Sequence, residues 1–214
     1  MISLRTVFRG ALEGRTLARI LFYDALENRA RSLSGKVLDL AGGPNPSYLP
    51  LLPSSLDIVR TDRVEAEGVR AVDINALLPF PDNSFDHVFL FNALYIVREP
   101  EKLAREVHRV LKKGGTWHVL SPFIANEMPE PEDFCRFTAG GLERLFRDAG
   151  FQRIKIERLG ERASAATHLM HPFFLVRGVR ALIFPLAILL DCLVPERVRR
   201  EHAVPLSYWC ELAK

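Results

Sequence analysis

Three carboxylates stand where apolar runs of strand type end or nearly end. Asp39 lies inside Val37-Leu38-Asp39-Leu40, Asp62 follows Leu56-Asp57-Ile58-Val59-Arg60-Thr61, and Asp73 follows Val69-Arg70-Ala71-Val72. A further run, Phe85 to Phe91, ends at Asn92. The first run breaks into Ala41-Gly42-Gly43-Pro44-Asn45-Pro46, a turn whose two glycines lack a Cβ and let main chain approach a ligand closely. In open α/β sheets ligands lie beyond the carboxyl ends of the strands, so acids at successive strand ends would line one crevice. Asp62 stands about where a doubly wound fold sets a carboxylate on a ribose, with Asp39 as an anchor behind the glycines. Taken alone, a strand followed by Gly-Gly-Pro fits an ordinary turn equally well.

The surrounding elements are those of an α/β fold. Residues 3–32 have helical spacing, with Leu4, Val7, Phe8 and Leu12 on one face, Leu17, Ile20, Leu21 and Ala25 on another, and Gly10 or Gly14 as breaks. Arg5, Arg9, Arg15 and Arg19 mark the polar side; this segment, 1–34, is read as a solvated amphipathic helix packed on the sheet or, functionally, as a helical cap over the site or a basic face resting on a membrane. After the glycine turn, Pro46, Pro50 and Pro53 leave room only for a short helix at Ser47 to Leu52. A pyrophosphate would need free amides and a long helix aimed at it, and Pro44 and Pro46 have no amide hydrogen, which argues against a dinucleotide. Pro100 to Leu111 is predicted to be a helix, with Lys112 and Lys113 at its negative end and Gly114 as its stop. A fifth strand, Thr116 to Leu120, favours reading His118 as a strand histidine over a base. An acid-rich loop, Ser121 to Phe137, holds Glu127, Glu130, Glu132 and Asp133, read mainly as solvated; a helix, Thr138 to Ala149, and strands Phe151 to Leu159 and Leu206 to Ala213 follow.

Val37–Pro46, Asp62, Asp73, the run Phe80-Pro81-Asp82-Asn83-Ser84-Phe85-Asp86 and then Arg109-Val110-Leu111-Lys112-Lys113-Gly114-Gly115 resemble the serial motifs of class I S-adenosylmethionine-dependent methyltransferases, nearest to the methyltransferase type 11 group. The resemblance covers about residues 36–160, and the Phe-Pro-Asp-Asn-Ser-Phe-Asp run is its most specific part. It implies a Rossmann-like, doubly wound, seven-stranded sheet with an antiparallel last strand and helices on both faces, and S-adenosyl-L-methionine as cofactor. It puts Gly42 and Gly43 on the methionine part, Asp62 on the ribose hydroxyls, and Asp73 with Ile74 on the adenine. Asp39, Ala41, Arg63 and Asn92 complete the candidate cofactor set. Ala41 and Asn45 replace two usual glycines, Asn being the next best residue for a positive φ, and Tyr95 and Ile96 replace a frequent Glu-His pair.

With 214 residues, 48% hydrophobic, the chain suits one globular domain; a net charge of +3 gives no argument for nucleic acid. Cys135, Cys192 and Cys210 suggest neither a disulfide framework nor a metal site, no secretory leader or internal repeat is visible, and a reducing, cytoplasmic setting is expected. Where the family has a short link before the last strand, this chain has an apolar insert, 160–205, with the run Ala181 to Leu190 at its centre. That run is shorter than the ~20 residues a bilayer span needs. Two readings stay open for 170–195: a helical lid packed on the body or on a second subunit of a homodimer, and a contact with a membrane surface or lipid substrate, to which Arg197, Arg199 and Arg200 would be suited.

Methyl transfer is an in-line displacement that alignment alone can speed greatly, and a base is required only if the acceptor arrives protonated. No motif identifies one; Tyr95, Glu127, His168 and His171 are the candidates, and both histidines equally suit the flank of a helix start. The expected activity is transfer to a small-molecule or lipid-like acceptor, with oxygen as the receiving atom. A nicotinamide-dependent oxidoreductase lacks its phosphate loop here, while a non-catalytic module holding a partner or membrane through the apolar insert remains the alternative.

Overall fold

The computed structural model describes residues 2–128, 130 and 132–214. Seven strands form one sheet: β1 (Lys36–Leu40), β2 (Asp57–Asp62), β3 (Arg70–Ala71), β4 (Phe85–Phe91), β5 (Leu111–Pro122), β6 (Arg153–Leu159) and β7 (Ser207–Ala213), in the order β3-β2-β1-β4-β5-β7-β6. The first five run parallel, with Leu38 opposite Val59 on one side and Val88 on the other. The near-continuous apolar character of β1 and β4 follows from this, because a central parallel strand is covered on both faces. β7 is antiparallel. The amide of Gly114 near the start of β5 donates to Lys214 at the end of β7, while the amide of Phe123 just past β5 donates to Leu206 just before β7. The strand order reverses between β1 and β4, the place where doubly wound sheets open a crevice.

The chain divides into two compact units. One comprises Arg29–Ser121, Met128–Glu157 and Trp209–Lys214 and carries most of the sheet; the other comprises Met1–Asn28, Pro122–Glu127 and Arg158–Tyr208. In the sheet-bearing unit, α3 (Pro100–Val110) buries Leu103, Ala104, Val107 and Val110 and packs against α4 (Ala139–Asp148), whose N-cap Thr138 accepts from the Gly141 amide. The helix stops at Val110, so Lys112 does not serve its end. Lys112 belongs to β5 and holds Asp86 through both carboxylate oxygens, at 2.9 and 2.8 Å. Gly114, at φ 77°, turns the chain within β5, where the register shifts between Phe85 and His87. Together, the Lys112 ammonium and the Lys36 amide hold the Asp86 carboxyl below its usual range.

The Phe-Pro-Asp-Asn-Ser-Phe-Asp run is a brace. Arg109 of α3 donates to the Asp82 carboxylate and to the carbonyls of Phe80 and Leu78 while pairing with Glu106, and Ser84 closes the turn onto the Pro81 carbonyl at 2.6 Å. His118 of β5 is buried beside His87, Phe89 and Trp209, and burial pushes its imidazole down to about 3, so it is a neutral strand residue.

In the second unit, α1 (Leu4–Leu12) turns into α2 (Leu17–Ala30) at Gly14, whose φ is 82°. Gly10 does not break the helix; a Cβ there would stand 2.7 Å from the Ile20 side chain, so the glycine serves close packing. The face expected to be buried is reversed in part: Val7, Gly10 and Ala11 are inside, whereas Leu4, Phe8 and Leu12 are exposed. The insert is helical, with α5 (Arg162–Leu169), α6 (Arg177–Leu193) and α7 (Glu196–Glu201), and α6 packs against α1 and α5. Asp191, an acid in an apolar helix, accepts from the amides of Glu161, Ala163 and Ser164 and so caps α5.

Candidate functional site

The glycine turn leaves β1 as a stapled loop. Thr61 of β2 donates its hydroxyl to the Asp39 carbonyl at 3.0 Å, the Gly42 amide donates to the Thr61 carbonyl at 3.1 Å, and Arg60 donates to the Pro44 carbonyl at 2.6 Å. Only a 3-10 turn, Leu49–Leu51, stands where a long crossover helix would begin, shorter than the expected Ser47 to Leu52. Ala41 and Gly43 take positive φ, 57° and 74°. Asn45 is not among the left-handed residues, so the conformation assigned to it from sequence falls on Ala41 instead.

Asp39 is wholly buried. Its two carboxylate oxygens receive the Tyr48 hydroxyl at 2.8 and 2.7 Å, and Tyr48 stands edge-on to Phe91. Burial pushes the carboxyl up to about 7, against the lowering effects of the Tyr48 hydrogen bond and the Arg60 charge. Burial and the same carboxylate drive the Tyr48 phenol far above its ordinary range. A Cβ on Gly42 would meet the Asp39 carboxylate at 2.3 Å and the Tyr48 hydroxyl at 2.8 Å; one on Gly43 would come within 3.2 Å of the Asp62 carboxylate. The bare backbone is therefore required, and what it opens onto is the next strand end.

That strand end borders a cleft of about 250 Å³ lined by Ala41, Asp62, Arg63, Val64, Val72, Asp73, Ile74, Asn75, Ile96 and Glu132. Its walls are apolar at Val72, Ile74 and Ile96, and its charged groups are three carboxylates against one guanidinium. With Glu132 answered by Arg98, the cleft keeps a small acidic excess, which favours a cationic ligand over a pyrophosphate. One oxygen of Asp62 accepts from the Arg63 amide at 2.6 Å. Asp73 caps its own turn by accepting from the Asn75 amide at 2.8 Å, and Asn75 in turn accepts from the Arg98 amide at 2.8 Å.

Of the cofactor set expected from the sequence, Ala41, Asp62, Arg63, Asp73 and Ile74 line this cleft. Asp39 does not, lying behind the loop with Tyr48, and Asn92, exposed at φ 53°, is not among the lining residues either. Gly42 and Gly43 border Asp39 and Asp62 without being counted in the lining. Val64, Val72, Asn75, Ile96 and Glu132 also line it and were not assigned to it from sequence. Glu132, taken there for a solvated acid, pairs with Arg98, and Asp133 is held by Arg136 and the Met128 amide. Pro129 and Pro131 of the same loop lie outside the described residues.

The four base candidates fall in both units. Tyr95, in the sheet-bearing unit, lies under the Arg136 guanidinium, and burial raises its phenol. Glu127, His168 and His171 belong to the other unit. Glu127 is exposed, while burial lowers both imidazoles and leaves Nδ1 of His168 and Nε2 of His171 without a hydrogen-bond partner. Among the described residues no group of His, Cys, Asp and Glu could hold a metal.

Comparison with known proteins finds likenesses to one segment of the chain and to its fold. Residues 49–119 match the family model described as "Methyltransferase domain". A chloroplastic 2-methyl-6-phytyl-1,4-hydroquinone methyltransferase 1 of Oryza sativa subsp. japonica is 28% identical over 165 residues, 64% of this chain and 47% of that one. A demethylmenaquinone methyltransferase of Renibacterium salmoninarum is 38% identical over 90 residues, 37% of this chain and 38% of that one. The chain thus spans less than half the length of these curated relatives. A crystal structure of an S-adenosylmethionine dependent methyltransferase from Mesorhizobium loti superposes with a TM-score of 0.59 at 17% identity, over 92% of this chain and all of that one, a likeness of fold. Motif order, the matched segment and the strand order agree with one another, and each is similar to what class I S-adenosylmethionine-dependent methyltransferases have.

Proposed function

We propose that the chain binds S-adenosyl-L-methionine in the cleft beside Asp62 and transfers its methyl group to a small-molecule or lipid-like acceptor of hydroquinone type. The observation that carries this is the acid-rich cleft at the ends of β1, β2 and β3, bordered by a loop that tolerates no Cβ at Gly42. When bound, the cofactor supplies an electrophilic methyl group on a cationic sulfur. The main chain of Gly42 and Gly43 would hold its methionine part, the free oxygen of Asp62 the ribose, and Asp73 with Ile74 the adenine. Asp39 acts through the loop, as a positioning residue.

The acceptor class rests on the names of the two curated relatives, both of which concern quinone-type rings. A hydroquinone offers a phenolic oxygen and a nucleophilic ring carbon next to it. Oxygen is the receiving atom expected from the sequence; fragmentation of the product by mass spectrometry separates a methyl ether from a ring-methylated product. Of the base candidates, Tyr95 has a raised phenol, which keeps its proton, whereas His168 and His171 are lowered and so neutral near pH 7. A pH-rate profile unchanged in His168→Gln and in His171→Gln would remove both.

Titration calorimetry tests the cofactor step. S-adenosylmethionine should bind and NAD should not, and Asp62→Ala should weaken binding by about tenfold to a hundredfold, the loss of a charge-assisted hydrogen bond pair. Unaltered affinity in that variant would contradict the ribose role. The alternative, a non-catalytic module of the same fold, is favoured by Tyr95 and Ile96 standing where the resemblance leads one to expect Glu-His; turnover of any hydroquinone excludes it.

A further inference from the structure

The apolar insert presents a surface that no described element covers. Along α6, Leu182, Leu186, Leu189 and Leu193 fall within about 60° of one another at 3.6 residues per turn. They are 73%, 54%, 47% and 76% exposed, while Ala181, Phe184, Ala187, Ile188 and Asp191 on the opposite side are buried. Phe173 and Leu175 continue the exposed apolar row ahead of the helix, at 81% and 77%. Water-facing apolar surface of this extent marks a place of contact.

Charge indicates what it contacts. The unit that holds α6 has eleven arginines against eight carboxylates, so the whole net charge of +3 resides there, and the sheet-bearing unit is balanced at eighteen against eighteen. Arg177 and Arg180 stand at one end of α6, on the side away from the leucines and with Arg180 bonded to the Phe174 carbonyl, and Arg197, Arg199 and Arg200 lie beyond the other end, with no charged residue from Ala181 to Leu190. Glu196 and Glu201 answer only Arg200 and Arg197. A twofold pairing of this face with a second copy would set these basic ends against each other. An acidic lipid surface, in contrast, accepts both the leucines and the arginines. No helix among the described residues is long and apolar enough to cross a membrane, so α6 would lie along the surface.

We propose that the exposed leucine face of α6, with the flanking arginines, docks the protein flat on an anionic phospholipid bilayer. This stands apart from methyl transfer and needs no cofactor. The purified full chain is floated with vesicles of phosphatidylcholine alone and of phosphatidylcholine mixed with phosphatidylglycerol. The chain should rise with the mixed vesicles and much less with the neutral ones. Leu182→Gln/Leu186→Gln/Leu189→Gln, all at exposed positions, should reduce the bound fraction by about tenfold or more with an unchanged circular dichroism spectrum. Arg177→Glu/Arg199→Glu should abolish the preference for the mixed vesicles. Asp62→Ala should float like the unaltered chain, so a failed cofactor assignment leaves this result intact. The proposal is overturned if the chain stays with neither vesicle, if the leucine variant floats equally well, or if light scattering shows a dimer that the leucine variant dissolves while no flotation occurs.

Discussion

Burial brings the protonation change of Asp39 up to near neutrality. Its carboxyl titrates at about 7 in the folded chain against 3.8 ordinarily, so between those values the native state keeps a proton that the unfolded chain has released. Stability from this group is therefore complete below about 3.8 and is lost as pH rises through 7. The Tyr48 hydroxyl opposes that loss by donating to the ionised form. Tyr48→Phe should cost about 1–3 kcal/mol, more at pH 8 than at pH 5, in urea denaturation run at both; an equal loss at the two pH values would show that the phenol only fills space. At Gly42 the constraint is steric. The carboxylate that a new Cβ would meet at 2.3 Å is buried and bonded and cannot swing away, so Gly42→Ala should destabilise by about 1–3 kcal/mol and weaken S-adenosylmethionine as the loop shifts.

Elements in this chain are tied together by charged groups that lie outside the cleft. Arg109 joins α3 to the turn before β4, reaching Glu106, Asp82 and two carbonyls from one guanidinium. The most specific motif of the resemblance thus does structural work, and Arg109→Gln should lower stability by about 1–2 kcal/mol, a value discounted for its partial exposure, with cofactor affinity within about twofold of the parent. A large loss of affinity in a folded variant would give the motif a part in binding instead. Asp191 does the like for α5. It answers three amides from within an apolar helix, and Asp191→Ala should cost about 2–3 kcal/mol, read as a lower denaturation midpoint at unchanged slope.

Over the whole molecule, charge and greasiness are divided between two compact units. The balanced unit carries the cleft, and the basic one carries α6 with its leucine face. If anionic lipid is what this face meets, attraction by the arginines is screened by salt and burial of the leucines is not. Raising ionic strength from about 0.05 to 0.5 M, which shortens the Debye length about threefold, should weaken vesicle binding by roughly tenfold and leave a residue that salt does not remove. Complete release at high salt would mean that the leucines contribute nothing.

Local chemistry was enough to determine from sequence the α/β class, the existence of every strand, the stunted first crossover and five of the cleft's ten lining residues. Each of these depends on neighbours in the chain: apolar runs, prolines without amides, acids closing a strand. Tertiary packing decided the rest. Glu132, Val64 and Asn75 come from loops whose destination no short spacing encodes, and Asp39 turned inward because Tyr48, nine residues on, gave its carboxylate a buried donor. Leu4, Phe8 and Leu12 had the spacing of a buried face, yet Gly10 allowed Ile20 so near that the other side of α1 went inside. Periodicity records that a helix has two faces, and only the shape of what it packs against selects which one water meets.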